Sequence, residues 1–164
     1  MKDVLVVYFT RTGNSEKLAE QVGIKLHGEI DEIKSKVKYY GNFGFVRAGY
    51  RALTNKVDNI EFKKDPSEYK ILIIVSPIWA SNIPAPVRAY IEENRKKIDK
   101  FGLIINGSMK ENKKAYDNFV DLLGNPISEY VADNSNINYE ICQKDLEDFS
   151  DKIRFELEKE EEND

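Results

Sequence analysis

An unbroken apolar run, Val4 to Phe9, stops at Thr10-Arg11-Thr12-Gly13-Asn14-Ser15, and helical sequence begins at once. The run is β-branched or aromatic at almost every position and too short for most buried helices. It predicts a strand covered on both faces, as in a parallel sheet. Leu18, Ala19, Val22 and Leu26 then recur at helical spacing, behind Ser15, a residue of helix-capping type. A strand, a short hydroxyl-rich turn and a helix make an anion site. The first N–H groups of a helix have no internal partner and lie at the positive end of its dipole. Thr10, Thr12 and Ser15 add hydroxyls, Asn14 adds an amide donor, and Gly13 permits close backbone approach. Charge-assisted bonds are worth roughly 1.5 to 3 kcal/mol each, so a few of them hold a phosphate. The turn lacks both the Gly-x-Gly-x-x-Gly spacing of dinucleotide folds and the Gly-Lys-Ser/Thr ending of triphosphate loops, so a monophosphate suits it better. An ordinary strand-to-helix turn draws on the same residue types.

Further along, Gly28 breaks the first helix and Glu29 to Ile33 predicts a short second strand around Ile30 and Ile33. The stretch from Lys34 to Phe62 interleaves Tyr39, Tyr40, Phe43, Phe45 and Tyr50 with glycines and with Lys36, Lys38, Arg47, Arg51 and Lys56; a short helix over 46–54 fits it. Ile71 to Val75 is the strongest buried-strand signal and must be central. It ends in Pro77-Ile78-Trp79-Ala80-Ser81-Asn82, followed by Pro84, Pro86 and a helix over 87–94. The chain's only tryptophan therefore stands at the carboxyl end of the central strand, the edge of an open α/β sheet where ligands bind. It either plugs the sheet end or offers a flat face to a ring. A fourth strand, 101–105, runs into Asn106-Gly107-Ser108; a helix over 111–123, an edge strand at 127–131 and a last helix over 142–157 complete the pattern. Five strands alternating with helices predict an α/β doubly wound parallel sheet, ordered 2-1-3-4-5, with helices on both faces.

The turn Thr10-x-Thr12-Gly13-Asn14-Ser15 resembles the signature of the flavodoxin family, in which this loop holds the phosphate of FMN. Pro77-x-Trp79, followed by Pro84-x-Pro86, resembles that family's second flavin loop, and the polar end of the fourth strand occupies the place of its third. The resemblance covers nearly the full chain. It implies FMN as cofactor, held by Thr10, Arg11, Thr12, Gly13, Asn14, Ser15, Pro77, Ile78, Trp79, Ala80, Asn106, Gly107 and Ser108. It further implies the Trp79 indole on a flavin face and the 80–82 backbone near the reactive ring nitrogen. Gly44, Phe45, Arg47, Gly49, Tyr50, Ala52 and Leu53 match a weaker pattern of one branch, either a helix packed on the sheet or a wall beside the flavin that chooses the electron partner. No residue need act as acid or base, since the redox chemistry belongs to the cofactor.

Composition narrows the function classes. The 164 residues suit one domain, 1–157, with an acidic tail, 158–164, read as a fraying, solvated helix end. Cys142 is the only cysteine, which excludes an internal disulfide, a CxxC pair and a cysteine-based metal cluster. His27 is the only histidine and lies near the end of the first helix, so a histidine-centred hydrolase is improbable. No run approaches the roughly 18 to 20 apolar residues of a membrane span, and the first strand follows Met1 too closely for a signal peptide; a cytoplasmic protein is expected. Residues 156–164 carry a net −5, so the remaining 155 hold +1 of the total −4. That near-neutral body departs from the acidic surface of flavodoxin-family electron carriers. The expected function is FMN-dependent electron transfer with a redox protein as partner. An FMN-dependent oxidoreductase taking NAD(P)H or a quinone is the alternative, and a flavin-free interaction module a third reading. Nucleic acid is not an expected partner, because no recognised binding signature accompanies the interleaved aromatics and cations.

Overall fold

A computed structural model describes residues 1–107, 112–135, 137 and 140–162. The chain runs β1 (Lys2–Tyr8), α1 (Asn14–Leu26), β2 (Glu29–Glu32), β3 (Lys34–Ser35), α2 (Gly41–Leu53), β4 (Ile60–Glu61), β5 (Tyr69–Pro77), α3 (Ala85–Asn94), β6 (Lys100–Gly107), α4 (Asn112–Leu123), β7 (Ser128–Asp133) and α5 (Glu140–Glu161). Five strands form one parallel sheet in the order β2-β1-β5-β6-β7, the predicted 2-1-3-4-5 with the two-residue strands set aside. Register places Val6 opposite both Ile30 and Ile73, and Ile74 opposite Leu103.

Both faces of the sheet are covered, which is why β1 and β5 are apolar without alternation. Leu5, Val7, Leu72, Ile74 and Leu103 pack with Val87, Tyr90 and Ile91 of α3 and Ala115 and Phe119 of α4. Val4, Val6, Ile71, Ile73 and Val75 pack on the opposite side with Leu18, Val22 and Leu26 of α1 and Leu146, Phe149 and Ile153 of α5. Burying each such side chain is worth roughly 1.5 to 3 kcal/mol, so these two layers dominate the stability.

Several boundaries differ from expectation. The helix expected over 46–54 starts five residues earlier, at Gly41. Gly44 lies in its first turn, where a Cβ would come within 2.6 Å of the Tyr39 carbonyl oxygen; the glycine permits a close approach rather than breaking the helix. Strands β3 and β4 form a separate antiparallel pair that the sequence reading did not contain. Helix α1 ends on His27 in the left-handed conformation (φ 50°), with Gly28 N–H donating to the Gly23 carbonyl. The acidic end is helical through Glu161, and Glu160 and Glu156 both bind Lys100 at the start of β6, at 2.6 and 2.9 Å. Its inner edge is therefore tied down, where the sequence suggested fraying.

Candidate functional site

The carboxyl ends of β1, β5, β6 and β7 meet α2 around a cleft of about 330 Å³. That volume lies within the range of small-molecule sites, roughly 300 to 1,000 Å³. From the turn after β1 it is lined by Thr10, Arg11, Thr12, Asn14 and Ser15; from the end of β5 by Pro77, Ile78, Trp79 and Ala80; and from β6 by Asn106. Ten of the thirteen sequence-predicted residues thus share one cleft. Gly13 shapes the turn without lining it, Gly107 packs towards Ile78, and Ser108 lies outside the described residues.

The turn after β1 is built to leave donors free. Thr10 Oγ1 accepts a hydrogen bond from the Gly13 N–H at 2.9 Å. Gly13 then takes a left-handed conformation (φ 87°) as N-cap of α1, where a Cβ would be strained. No side chain caps the helix, so its first-turn N–H groups have no side-chain acceptor, and Asn14 and Ser15 of that turn line the cleft. One expected donor is committed elsewhere. Ser15, 1% exposed, donates its hydroxyl proton to Asn106 Oδ1 at 2.7 Å, and Asn106 donates in turn to Asn134 Oδ1 at 2.9 Å. This chain of hydrogen bonds ties the start of α1 to the ends of β6 and β7 along the cleft.

The opposite wall is aromatic and sharply turned. Trp79 and Asn82 exchange backbone hydrogen bonds of 3.1 and 3.0 Å across Ala80 and Ser81, both left-handed (φ 50° and 57°). Two positive-φ residues in a two-residue loop make the primed type of tight turn, and non-glycine residues there cost about 1 to 3 kcal/mol each. Asn82 holds it in place. Its amide donates to the Ala52 carbonyl and to Asn55 Oδ1, while its Oδ1 accepts from the Ile83 N–H and Asn118. Trp79 packs edge-on against Phe9, centroids 5.3 Å apart, and Tyr39, 4.8 Å apart. The indole both buttresses the sheet end and lines the cleft.

Helix α2 closes the cleft with Phe45, Ala48 and Gly49, and the Arg11 guanidinium stands 5.5 Å from the Phe45 ring centre. Asp58 positions this helix. Its fully buried carboxylate accepts from Arg51 Nε at 2.7 Å and Ser35 Oγ at 2.6 Å, and also from the Tyr39 hydroxyl. Burial, reinforced by the Asp58 carboxylate, holds the Tyr39 pKa well above the ordinary tyrosine value, so the phenol remains a donor. Outside the cleft, at the end of β1, burial and the neighbouring Glu32 and Glu16 carboxylates push Tyr8 up to about 12. Asp58, Ala48 and Asn134 escaped the sequence reading: none belongs to a motif, and Asn134 follows an edge strand with no signal of its own.

No family model matches the chain. An uncharacterized protein of Archaeoglobus fulgidus is 29% identical over 158 residues, covering 93% of this chain and 94% of that one. Among solved structures, a flavoprotein from Lactobacillus acidophilus, crystallised in complex with FMN, superposes with a TM-score of 0.69 at 19% identity, covering 87% of this chain and 98% of its own. A short-chain flavodoxin associated with a bacterial microcompartment gives 0.60 at 19% identity, covering 93% and 97%. A WrbA-like flavodoxin from Agrobacterium tumefaciens gives 0.57 at 10% identity, covering 94% and 98%. At these identities the likeness is one of architecture: the chain has the flavodoxin-like fold.

Proposed function

We propose that the chain binds FMN in this cleft and serves in electron transfer in the cytoplasm, with a redox protein as partner. The observation that carries the reading is the pairing, within one cleft, of an uncapped helix N-terminus with the Trp79 loop. The pair suits the two parts of FMN, a phosphate and a flat aromatic ring. When bound, FMN supplies the redox chemistry; the protein binds, orients and tunes it. The Asn14 and Ser15 backbone N–H groups, the Thr10 and Thr12 hydroxyls and Arg11 would take the phosphate; the Gly13 N–H is already held by Thr10. Ser15 serves through Asn106, whose orientation it fixes, rather than as a direct donor. Trp79 and Pro77 to Ala80 would hold the ring, with Phe45 and Gly49 of α2 across from them.

An FMN-dependent oxidoreductase using NAD(P)H or a quinone is the second reading, favoured by the aromatic flank on α2 and the near-neutral body. Steady turnover of NAD(P)H with a quinone selects the enzyme. The binding assignment is tested by titrating FMN fluorescence with the flavin-free protein and with Thr12→Glu. A carboxylate at this exposed position repels the phosphate and should abolish quenching without altering the far-ultraviolet circular dichroism. Equal affinity for both proteins would remove the phosphate from this turn.

A further inference from the structure

Helix α2 is built inside out. Its buried positions are Gly44, Ala48 and Ala52, a small-residue stripe against the body. The opposite stripe, at the same helical period, is Phe43 (93% exposed), Val46 (69%), Tyr50 (57%) and Leu53 (60%), with exposed Tyr40 just before the helix. Residues that dominate cores elsewhere face outward here, and the contiguity of the patch marks an interaction surface.

Within its own segment of the chain the charge beside this stripe is of one sign. From Ile33 to Val57 the chain carries Lys34, Lys36, Lys38, Arg47, Arg51 and Lys56, and no acidic residue. Lys34, Lys36 and Arg51 are compensated by Glu32, Glu61 and Asp58. Lys38 and Arg47 have no ion pair among the described residues, and Lys56 lies over the Tyr50 ring. The acidic end of α5 is bound to Lys100 at the amino-terminal edge of the sheet, whereas α2 borders the cleft at the carboxyl-terminal edge. The charge of the acidic end of α5 is thus carried away from the apolar stripe.

We propose that the outer face of α2 docks the protein, peripherally and reversibly, on an anionic lipid bilayer. An apolar helical stripe flanked by cations and rich in aromatic residues suits an interface with acyl chains below and anionic headgroups around it. A second copy fits less well, because packing α2 on α2 sets Lys38 and Arg47 of one copy near those of the other. A single protein partner would need a surface both acidic and apolar throughout, whereas a bilayer supplies that uniformly. Docking in this way turns the Phe45 side of the cleft towards the lipid. The inference goes beyond the FMN reading and does not depend on it, since binding is read with or without flavin.

The test is flotation of the full chain with vesicles of phosphatidylglycerol and phosphatidylcholine, and with pure phosphatidylcholine, at low and high salt. The protein should float with the anionic vesicles and not with the neutral ones, and high salt should weaken binding at least tenfold. Removing Lys38, Arg47 and Lys56 as glutamines should lower the partition coefficient about fivefold per cation. Phe43→Ser with Val46→Ser should lower it by at least tenfold, with the circular dichroism spectrum unchanged because both side chains are exposed. No flotation at millimolar anionic lipid would overturn the proposal, as would equal flotation of every variant. Concentration-dependent dimerisation abolished by Phe43→Ser, without flotation, would overturn it in favour of a second copy.

Discussion

Asn106 joins the start of α1 to the end of β7 along the cleft, and its replacement has a calculable cost. Its side chain is 2% exposed, accepts from Ser15 and donates to Asn134. In Asn106→Ala two hydrogen bonds disappear, each worth about 1 kcal/mol net, and Ser15 Oγ is left as a buried donor, which costs a further 1 to 3 kcal/mol or so. Asn134 is exposed, and water takes its freed acceptor without penalty. The expected loss is therefore about 3 to 5 kcal/mol. Ser15→Ala should cost nearly as much, because it strands the buried Asn106 oxygen instead. The double variant strands neither group. Its loss should fall short of the sum of the two single losses by at least about 1 kcal/mol, well outside the 0.3 to 0.5 kcal/mol or so within which independent sites add. Urea unfolding of the four proteins, flavin-free and at neutral pH, measures the cycle. Strict additivity would refute the account of Ser15 and Asn106 as a shared buried bond and would return the Ser15 hydroxyl to the cleft as a free donor.

Asp58→Asn removes a buried charge whose donors include Arg51, and breaking such a pair on one side costs about 3 to 5 kcal/mol. Amide exchange across 41–53 should quicken relative to β1, and unchanged protection there would show that Asp58 does not anchor α2. Glu29 binds Lys2, Lys64 and the Tyr69 hydroxyl, which lower its pKa from 4.5 to about 2. A carboxylate held below its unfolded value stabilises the fold fully above pH 4.5, and that contribution is lost as pH falls towards about 2. The gap in melting temperature between wild type and Glu29→Gln should close over that window; a gap independent of pH would contradict the assignment.

The parts legible in the sequence were those with one dominant cause. β1 and β5 are buried on both faces, so their sequences are continuously apolar and strand order follows from right-handed crossovers. That the turn after β1 and the Trp79 loop share a cleft was legible because a tight turn or a strand end restricts which residues can stand there. Other features depend on contacts made across the fold. Gly44 looks like a helix breaker until Tyr39 is seen packed against it, and two-residue strands such as β3 and β4 have no period to read. Ser15 was legible as a hydroxyl beside the cleft, but not its commitment to Asn106, 91 residues away. The tail shows the same limit, since Lys100 reaches Glu160 only once β6 and α5 are packed.

The central claim is that the cleft holds FMN. It is tested most directly by mixing the purified protein with excess FMN, desalting it, and recording the visible spectrum. The account predicts about one flavin per chain with its two oxidised bands retained, shifted from those of free FMN by the Trp79 wall. Complete loss of flavin on desalting, with the fold intact, would contradict it and leave the flavodoxin-like fold serving as a flavin-free interaction module.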